Sequence, residues 1–350
     1  MDGELISALN EIEREKGISK DIMFDALETA LLSAFKKNFG TTQNVKVEID
    51  RETGKVFVYV EKVVVEEIND GDSEISIQEA NIINPKFRIG DIVRLEVTPK
   101  SFGRIAAQTA KQIVTQRIRE AERDMMYKYY INKENDIVSG IVEKIDKKNI
   151  LVDLGNAETV MPLTEKLPNE TLKQGDKIKL YVVEVKKTTK GPQIVVSRTH
   201  PGLVKRLFEK EVPEIYDGTI EIKSIAREAG SRTKIAVYSN DKNVDSVGAC
   251  VGFKGNRVQS VVDELNGEKI DIVKWSSETK EYVAASLSPA KVLSVEINNT
   301  EKIAKVLVPS YQLSLAIGKE GQNARLAAKL TGWKIDISGT NVESGDGEQQ

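Results

Sequence analysis

A tandem repeat near the C-terminus constrains this chain more than any other feature. Gly267-Glu268-Lys269-Ile270-Asp271-Ile272 returns sixty-five residues later as Gly332-Trp333-Lys334-Ile335-Asp336-Ile337. Upstream, Val251-Gly252-Phe253-Lys254-Gly255-Asn256 returns sixty-six residues later as Ile317-Gly318-Lys319-Glu320-Gly321-Gln322. The difference of one places an extra residue of the first copy in the intervening helix. A chain that repeats itself at a fixed period repeats a structural unit, so two copies of one domain are expected, each of about seventy residues.

In both copies an apolar helical stretch runs into Gly-x-x-Gly and then into a second helix. Two glycines three apart let backbone approach a ligand with no side chain between. The free N–H groups at the start of the next helix favour phosphate. These are the mechanics of a KH loop, which clamps the backbone of about four nucleotides. The bases then fall onto an apolar groove beside it. Lys254 and Lys319 put positive charge in the loops, and Arg257 and Arg325 on the following helices are candidates to reach the RNA backbone. A lone Gly-x-x-Gly is a weak signal and equally fits a structural turn. Two in matching context, each followed by Lys-Ile-Asp-Ile, point to RNA. The loops differ in charge. Phe253-Lys254 is apolar and basic, whereas Lys319-Glu320 is balanced, so the first should hold phosphate more strongly. No Gly-x-x-x-x-Gly-Lys-Ser/Thr and no Gly-x-Gly-x-x-Gly after a strand occurs, which argues against a P-loop or a dinucleotide fold.

Upstream of the repeat the pattern changes twice. Leu5, Ile6, Leu9 and Ile12 have helical spacing up to Gly17. Ser19 then opens a second helix with Ile22, Ala26, Leu27, Ala30, Leu31 and Ala34 inside, closing at Gly40. Val45, Val47, Ile49 and Val56, Val58, Val60 alternate about an Asp50–Gly54 turn, as in a hairpin. Ser76-Ile77-Gln78-Glu79 is a capping box, Asp91 to Val97 a strand, and a long helix runs from about Ser101 to Lys128. Along it Phe102, Ile105, Ala106, Ala110 and Ile113 share one face. Arg104, Gln108, Lys111, Thr115 and Arg119 share the other, with Arg104 and Lys111 about 10 Å apart. Lys36 and Lys37 end the earlier helix. After Asn132–Glu134 only short strands follow: 137–145, 150–154, 159–162, 177–185 and 193–197. Five such strands suggest an OB-type barrel. Lys186, Lys187, Lys190 and Arg198 give that barrel charge. With Tyr181 its only aromatic, RNA binding there should be weak and mostly electrostatic.

The remaining composition closes several doors. One cysteine, Cys250, and one histidine, His200, assemble no zinc site, triad or dyad easily, so no metal, cofactor or catalytic residue is expected. His200, in a His-Pro-Gly link, reads as a linker residue. A net charge of −3 argues against a general polycation but allows local basic faces. No apolar run approaches the ~20 residues that span a bilayer, and the N-terminus has no secretory pattern, so no membrane partner and a cytoplasmic location are expected.

The order of parts resembles the NusA family of bacterial transcription factors. The matching segments are Phe102–Lys111, Lys187–Pro192 and, most specifically, Gln312–Lys319 running on through Gln322–Trp333. The resemblance implies a multidomain α+β chain. An α/β N-terminal domain (1–132) would bind RNA polymerase near the RNA exit channel. A five-stranded OB-type barrel of the ribosomal-protein-S-one kind (133–199) and two tandem bacterial-type (type II) KH domains (200–276, 277–340), packed together, would follow, then a disordered tail (341–350). It implies an elongation factor that meets nascent single-stranded RNA and pause or terminator hairpins, promotes pausing and intrinsic termination, and joins antitermination with other Nus factors. The Arg104/Lys111 stripe would then favour a hairpin at the exit. Ending at Gln350, the chain should lack the autoinhibitory acidic domains of some members. The alternative is an RNA-binding module of an RNA-degradation or ribosome-assembly factor.

Overall fold

The computed structural model describes residues 2–39 and 44–340. The expected helix closure at Gly40 and the tail 341–350 lie outside the described residues. The chain divides into two units, Met1–Met125 and Met126–Gln350.

In the first unit, α1 (Asp2–Lys16) stops at Gly17, whose φ of +67° suits glycine, and α2 (Lys20–Phe39) follows. The face that α2 buries is turned from the expected one. Met23, Phe24, Leu27, Leu31 and Phe35 are buried, while Ile22 is 58% exposed. The larger side chains at 23, 27, 31 and 35 recur every fourth residue and set the contact, and a neighbour one position off points about 100° away. Strands β1 (Val45–Ile49) and β2 (Val56–Val65) form the expected hairpin, with Ile49 opposite Val56. β2 runs on to pair with β3 (Glu74–Ser76) and β4 (Ile92–Glu96). Between them α3 (Ile77–Ile83) is capped by Ser76, whose side chain accepts from the Glu79 N–H. The hairpin, α1, α2 and Phe102 and Ala106 of α4 (Phe102–Ile131) enclose one core.

In the second unit, strands β5 (Ile137–Ile145), β6 (Asn149–Asp153), β7 (Glu158–Pro162), β8 (Lys177–Thr188) and β9 (Gly191–Ser197) form a five-stranded sheet in the order β7-β6-β5-β8-β9. The Thr159 hydroxyl donates to the Ile194 carbonyl at 2.6 Å and draws the outer strands into a nearly closed OB-type barrel.

Two matching modules follow. The first comprises α5 (Pro201–Glu211), α6 (Pro213–Tyr216), β10 (Ile220–Glu228), β11 (Arg232–Ser239), α7 (Ser246–Val251), α8 (Asn256–Glu264) and β12 (Lys269–Lys274). The second comprises α9 (Thr279–Ser286), β13 (Ser294–Asn298), β14 (Ile303–Pro309), α10 (Leu313–Ile317), α11 (Gln322–Thr331) and β15 (Lys334–Thr340). In each, two antiparallel strands are joined by a third that runs parallel to the middle one. The extra residue of the first copy lies in the turn after the helix, not within it. α8 has nine residues and ends in Leu265-Asn266-Gly267, with positive φ at Asn266 and Gly267, whereas α11 has ten and closes on Gly332 alone. A turn absorbs an insertion that would rotate a helix's buried face.

Candidate nucleic-acid interface

The two loops share one backbone. Gly252 and Gly318 have φ/ψ of 76°/175° and 77°/170°. Lys254 and Glu320 stand in the left-handed region at φ 51° and 53°, followed by Gly255 and Gly321 at 79° and 74°. The first glycine is required for its φ and for closeness. A Cβ on Gly252 would lie 2.5 Å from Asn256 Oδ1 and 2.7 Å from Arg257 Cγ, and one on Gly318 would lie 2.7 Å from the Asn323 backbone N. The second glycine needs only its φ, because a Cβ there meets nothing nearer than 4.0 Å. Each loop is pinned by a bond across it, Gly255 N–H to Gly252 O at 3.0 Å and Gly321 N–H to Gly318 O at 3.1 Å. Each opens directly onto the start of α8 or α11, whose first N–H bonds back to the Phe253 or Lys319 carbonyl, and the N–H groups of a helix's first turn lack partners within the helix.

Lys254, Lys319 and Glu320 are exposed at the loop tips, and the Phe253 ring is 80% exposed with Lys254 Nζ 5.4 Å from its centroid. The two arginines differ from expectation, since both are engaged within the protein. Arg257 donates to the Glu214 carboxylate at 3.0 Å and the Ala249 carbonyl at 2.7 Å, tying α8 to α6 and α7. Arg325 bonds Glu228 on β10 at 2.6 Å and the Glu320 carbonyl at 3.1 Å, bridging the two modules. That bond holds the Glu228 carboxyl below its usual range, with burial opposing. Nor are the two equivalent. The partner of Arg257 in the second copy is Asn323, 3% exposed, whose Nδ2 donates to the Leu287 and Ala316 carbonyls at 3.0 Å. Both residues fasten the loop to the helix before it. The sequence carries no sign of this, because Glu214 and Leu287 are distant in the chain.

In the barrel, Lys186, Lys187 and Lys190 are exposed about the β8–β9 turn, with Lys186 paired to Glu184 at 3.0 Å and Lys187 Nζ 5.8 Å from the Tyr127 ring. Arg198 is a correction. It is 1% exposed and bonds the Glu170 carboxylate at 2.7 and 3.0 Å, the Lys179 carbonyl at 2.6 Å and the Glu264 carbonyl at 3.0 Å, so it joins the barrel to the first KH module and offers nothing to RNA. Tyr181 is likewise buried. It stacks on His200 with centroids 4.6 Å apart, and its hydroxyl donates to Asn135 Oδ1. His200 caps α5 through Nδ1, a role beyond that of a linker.

In the first unit, Arg104, Gln108, Lys111, Thr115 and Arg119 are exposed along α4, opposite buried Phe102 and Ala106. A shallow groove there also takes in Gln112 and Gln116, which the helical-wheel reading left out. Phe35 and Phe39 pack on Phe102, with centroids 5.5 and 6.0 Å away, so the end of α2 meets the core-facing start of α4 and leaves Lys36 and Lys37 exposed there.

Four family models match the chain in order: the NusA N-terminal domain at residues 4–124, the S1 RNA binding domain at 132–197, the NusA-like first KH domain at 198–275 and the NusA-like second KH domain at 279–344. The transcription termination/antitermination protein NusA of Bacillus subtilis is 62% identical over 96% of this chain and 91% of its own length. The protein of the same name from Halalkalibacterium halodurans is 60% identical over 96% and 88%, and that from Thermus thermophilus 40% identical over 99% and 92%.

Proposed function

This chain belongs to the NusA family of transcription termination/antitermination proteins, and on that premise we propose that it is a tether between RNA polymerase and emerging RNA. Residues 1–132 dock on the polymerase near the RNA exit channel. The barrel and the two KH loops receive nascent single-stranded RNA, while the α4 stripe receives the arm of a pause or terminator hairpin. The factor promotes pausing and intrinsic termination and takes part in antitermination with other Nus factors. It acts in the cytoplasm by binding alone, without catalytic residues or cofactors. Several weak contacts on one chain raise each other's effective concentration, so no single module needs high affinity. Among the described residues no helix is long and apolar enough to cross a membrane.

The observation that carries the RNA reading is the shared loop backbone. Two segments of different sequence, Phe-Lys and Lys-Glu, adopt the same strained conformation at the mouth of a helix. A non-glycine residue in the left-handed region costs about 1 kcal/mol or more, and such strain marks functional loops. Lys254→Asp, and Lys319→Asp with Glu320→Asp, place anions where phosphate would sit. RNA affinity should fall in both with folding retained, and unchanged binding in both would refute the reading. Capture from a bacterial lysate tests the partner: polymerase is expected, and recovery of ribosomes without polymerase would overturn it. The RNA-degradation or ribosome-assembly alternative is not favoured, because relatives that match nearly the whole chain are named for transcription.

A further inference from the structure

Phe253 contributes nothing that the fold needs. Its ring is 80% exposed and lies outside every hydrophobic cluster among the described residues. Its backbone position is nevertheless fixed. Gly252 turns the chain at φ 76°, the Gly255 N–H closes the loop on the Gly252 carbonyl, and Arg257 fastens the following helix to Glu214 and to the Ala249 carbonyl. The aromatic is thus displayed from a braced loop, so little conformational freedom is lost when something covers it. The Lys254 ammonium lies 5.4 Å from the ring centroid. A flat apolar surface beside a positive charge matches the two halves of a nucleotide, a base with a π face and an anionic phosphate. The matching position in the second loop is Lys319, which has no ring.

We infer that Phe253 is a stacking platform for one unpaired base of RNA whose backbone the first KH loop holds, making that module a reader of a base as well as a clamp on the backbone. The inference rests on the loops being RNA clamps. It adds a contact that the second loop, with Lys319 at the matching position, lacks, so the two loops differ in kind as well as in charge. The ring accepts any base, with purines favoured by their larger face. A buried protein contact would suit a bare Phe equally well, but the adjoining ammonium and the N–H groups of the first turn of α8 favour an anionic, base-bearing strand.

The test uses the full chain and a short unstructured RNA carrying 2-aminopurine, with Phe253→Ala, Phe253→Trp, Lys254→Asp and Tyr216→Ala. Tyr216 is 84% exposed on α6, outside the loop, and controls for the loss of an exposed ring. Phe253→Ala should weaken binding roughly 5- to 150-fold, the range of one base–aromatic stack. It should also abolish quenching of the reporter at one position of the strand, and Phe253→Trp should retain both. An abasic residue at that position should cost the parent protein affinity and cost Phe253→Ala nothing further. If Lys254→Asp weakens binding while Phe253→Ala does not, the stacking inference fails and the clamp stands. If neither weakens it, the first loop is not a clamp and the platform falls with it. Equal losses in Phe253→Ala and Tyr216→Ala, with quenching intact, would overturn the platform.

Discussion

At the scale of single residues, chemistry follows from what each side chain touches. Gly252 and Gly318 are alike in sequence and in φ, but a Cβ would meet side-chain atoms of Asn256 and of the braced Arg257 at the first and the Asn323 backbone N, which cannot turn aside, at the second. Gly318→Ala should therefore be the more destabilising, and both should cost at least the roughly 1 kcal/mol of a left-handed alanine. Denaturant midpoints of the two variants check the order. His200 supplies a pH dependence. Burial, and then nearby Arg227, lower its pKa, with Glu165 opposing, and protonated Nδ1 could not accept the Gly202 N–H. A base whose folded pKa is depressed stabilises fully above its unfolded value near 6.5, and that contribution is lost as pH falls toward the lower folded value. His200→Asn keeps a cap acceptor that does not titrate. Its melting temperature should fall less than the parent's between pH 7 and 5.5, and an identical fall in the two would exclude His200 as the cause.

At the scale of elements, periodicity was sufficient where an element has one apolar face and insufficient where two faces compete. The hairpin, the Ser76 cap, the barrel strands and the polar stripe of α4 were all legible in the sequence. On α2 the small residues at 26, 30 and 34 left the pattern ambiguous, and packing of Met23, Phe24 and Phe35 decided it. The α4 stripe supplies its own prediction. Arg104 and Lys111 are exposed, so Arg104→Glu with Lys111→Glu should alter stability by less than about 1 kcal/mol. The pair should weaken binding to a hairpin RNA and reduce its salt dependence, because each lost phosphate contact lowers the slope. An unchanged affinity and slope would remove the hairpin from this face.

At the scale of the whole molecule, the barrel and the KH modules are bound into one body by side chains whose sequence context shows no such role. Ile137, Leu167 and Tyr181 of the barrel share a core with Leu203, Leu207 and Phe208 of α5. Ala226, Ala236 and Val273 of the first module share another with Tyr282, Leu326 and Leu330 of the second. Arg198 is the strut between barrel and first KH module. Arg198→Met leaves Glu170 buried and unpaired, which should cost about 3–5 kcal/mol, whereas Arg198→Met with Glu170→Met should recover much of it. Calorimetry would show the loss in a transition shared by barrel and KH modules, and a loss confined to the barrel would show that the two unfold separately. By itself the sequence determined the duplication, the glycine loops, the strand pattern and the family, because each rests on local spacing or on backbone angles that few residues adopt. Only the tertiary structure decided which charges are free. Arg198 and Arg257 look like surface cations in the chain, but the partners that claim them, Glu170 and Glu214, lie 28 and 43 residues away, and Arg325, though it stays exposed, is paired with Glu228, 97 residues away. An arginine's availability to RNA depends on those distant carboxylates, and spacing along the chain does not encode them.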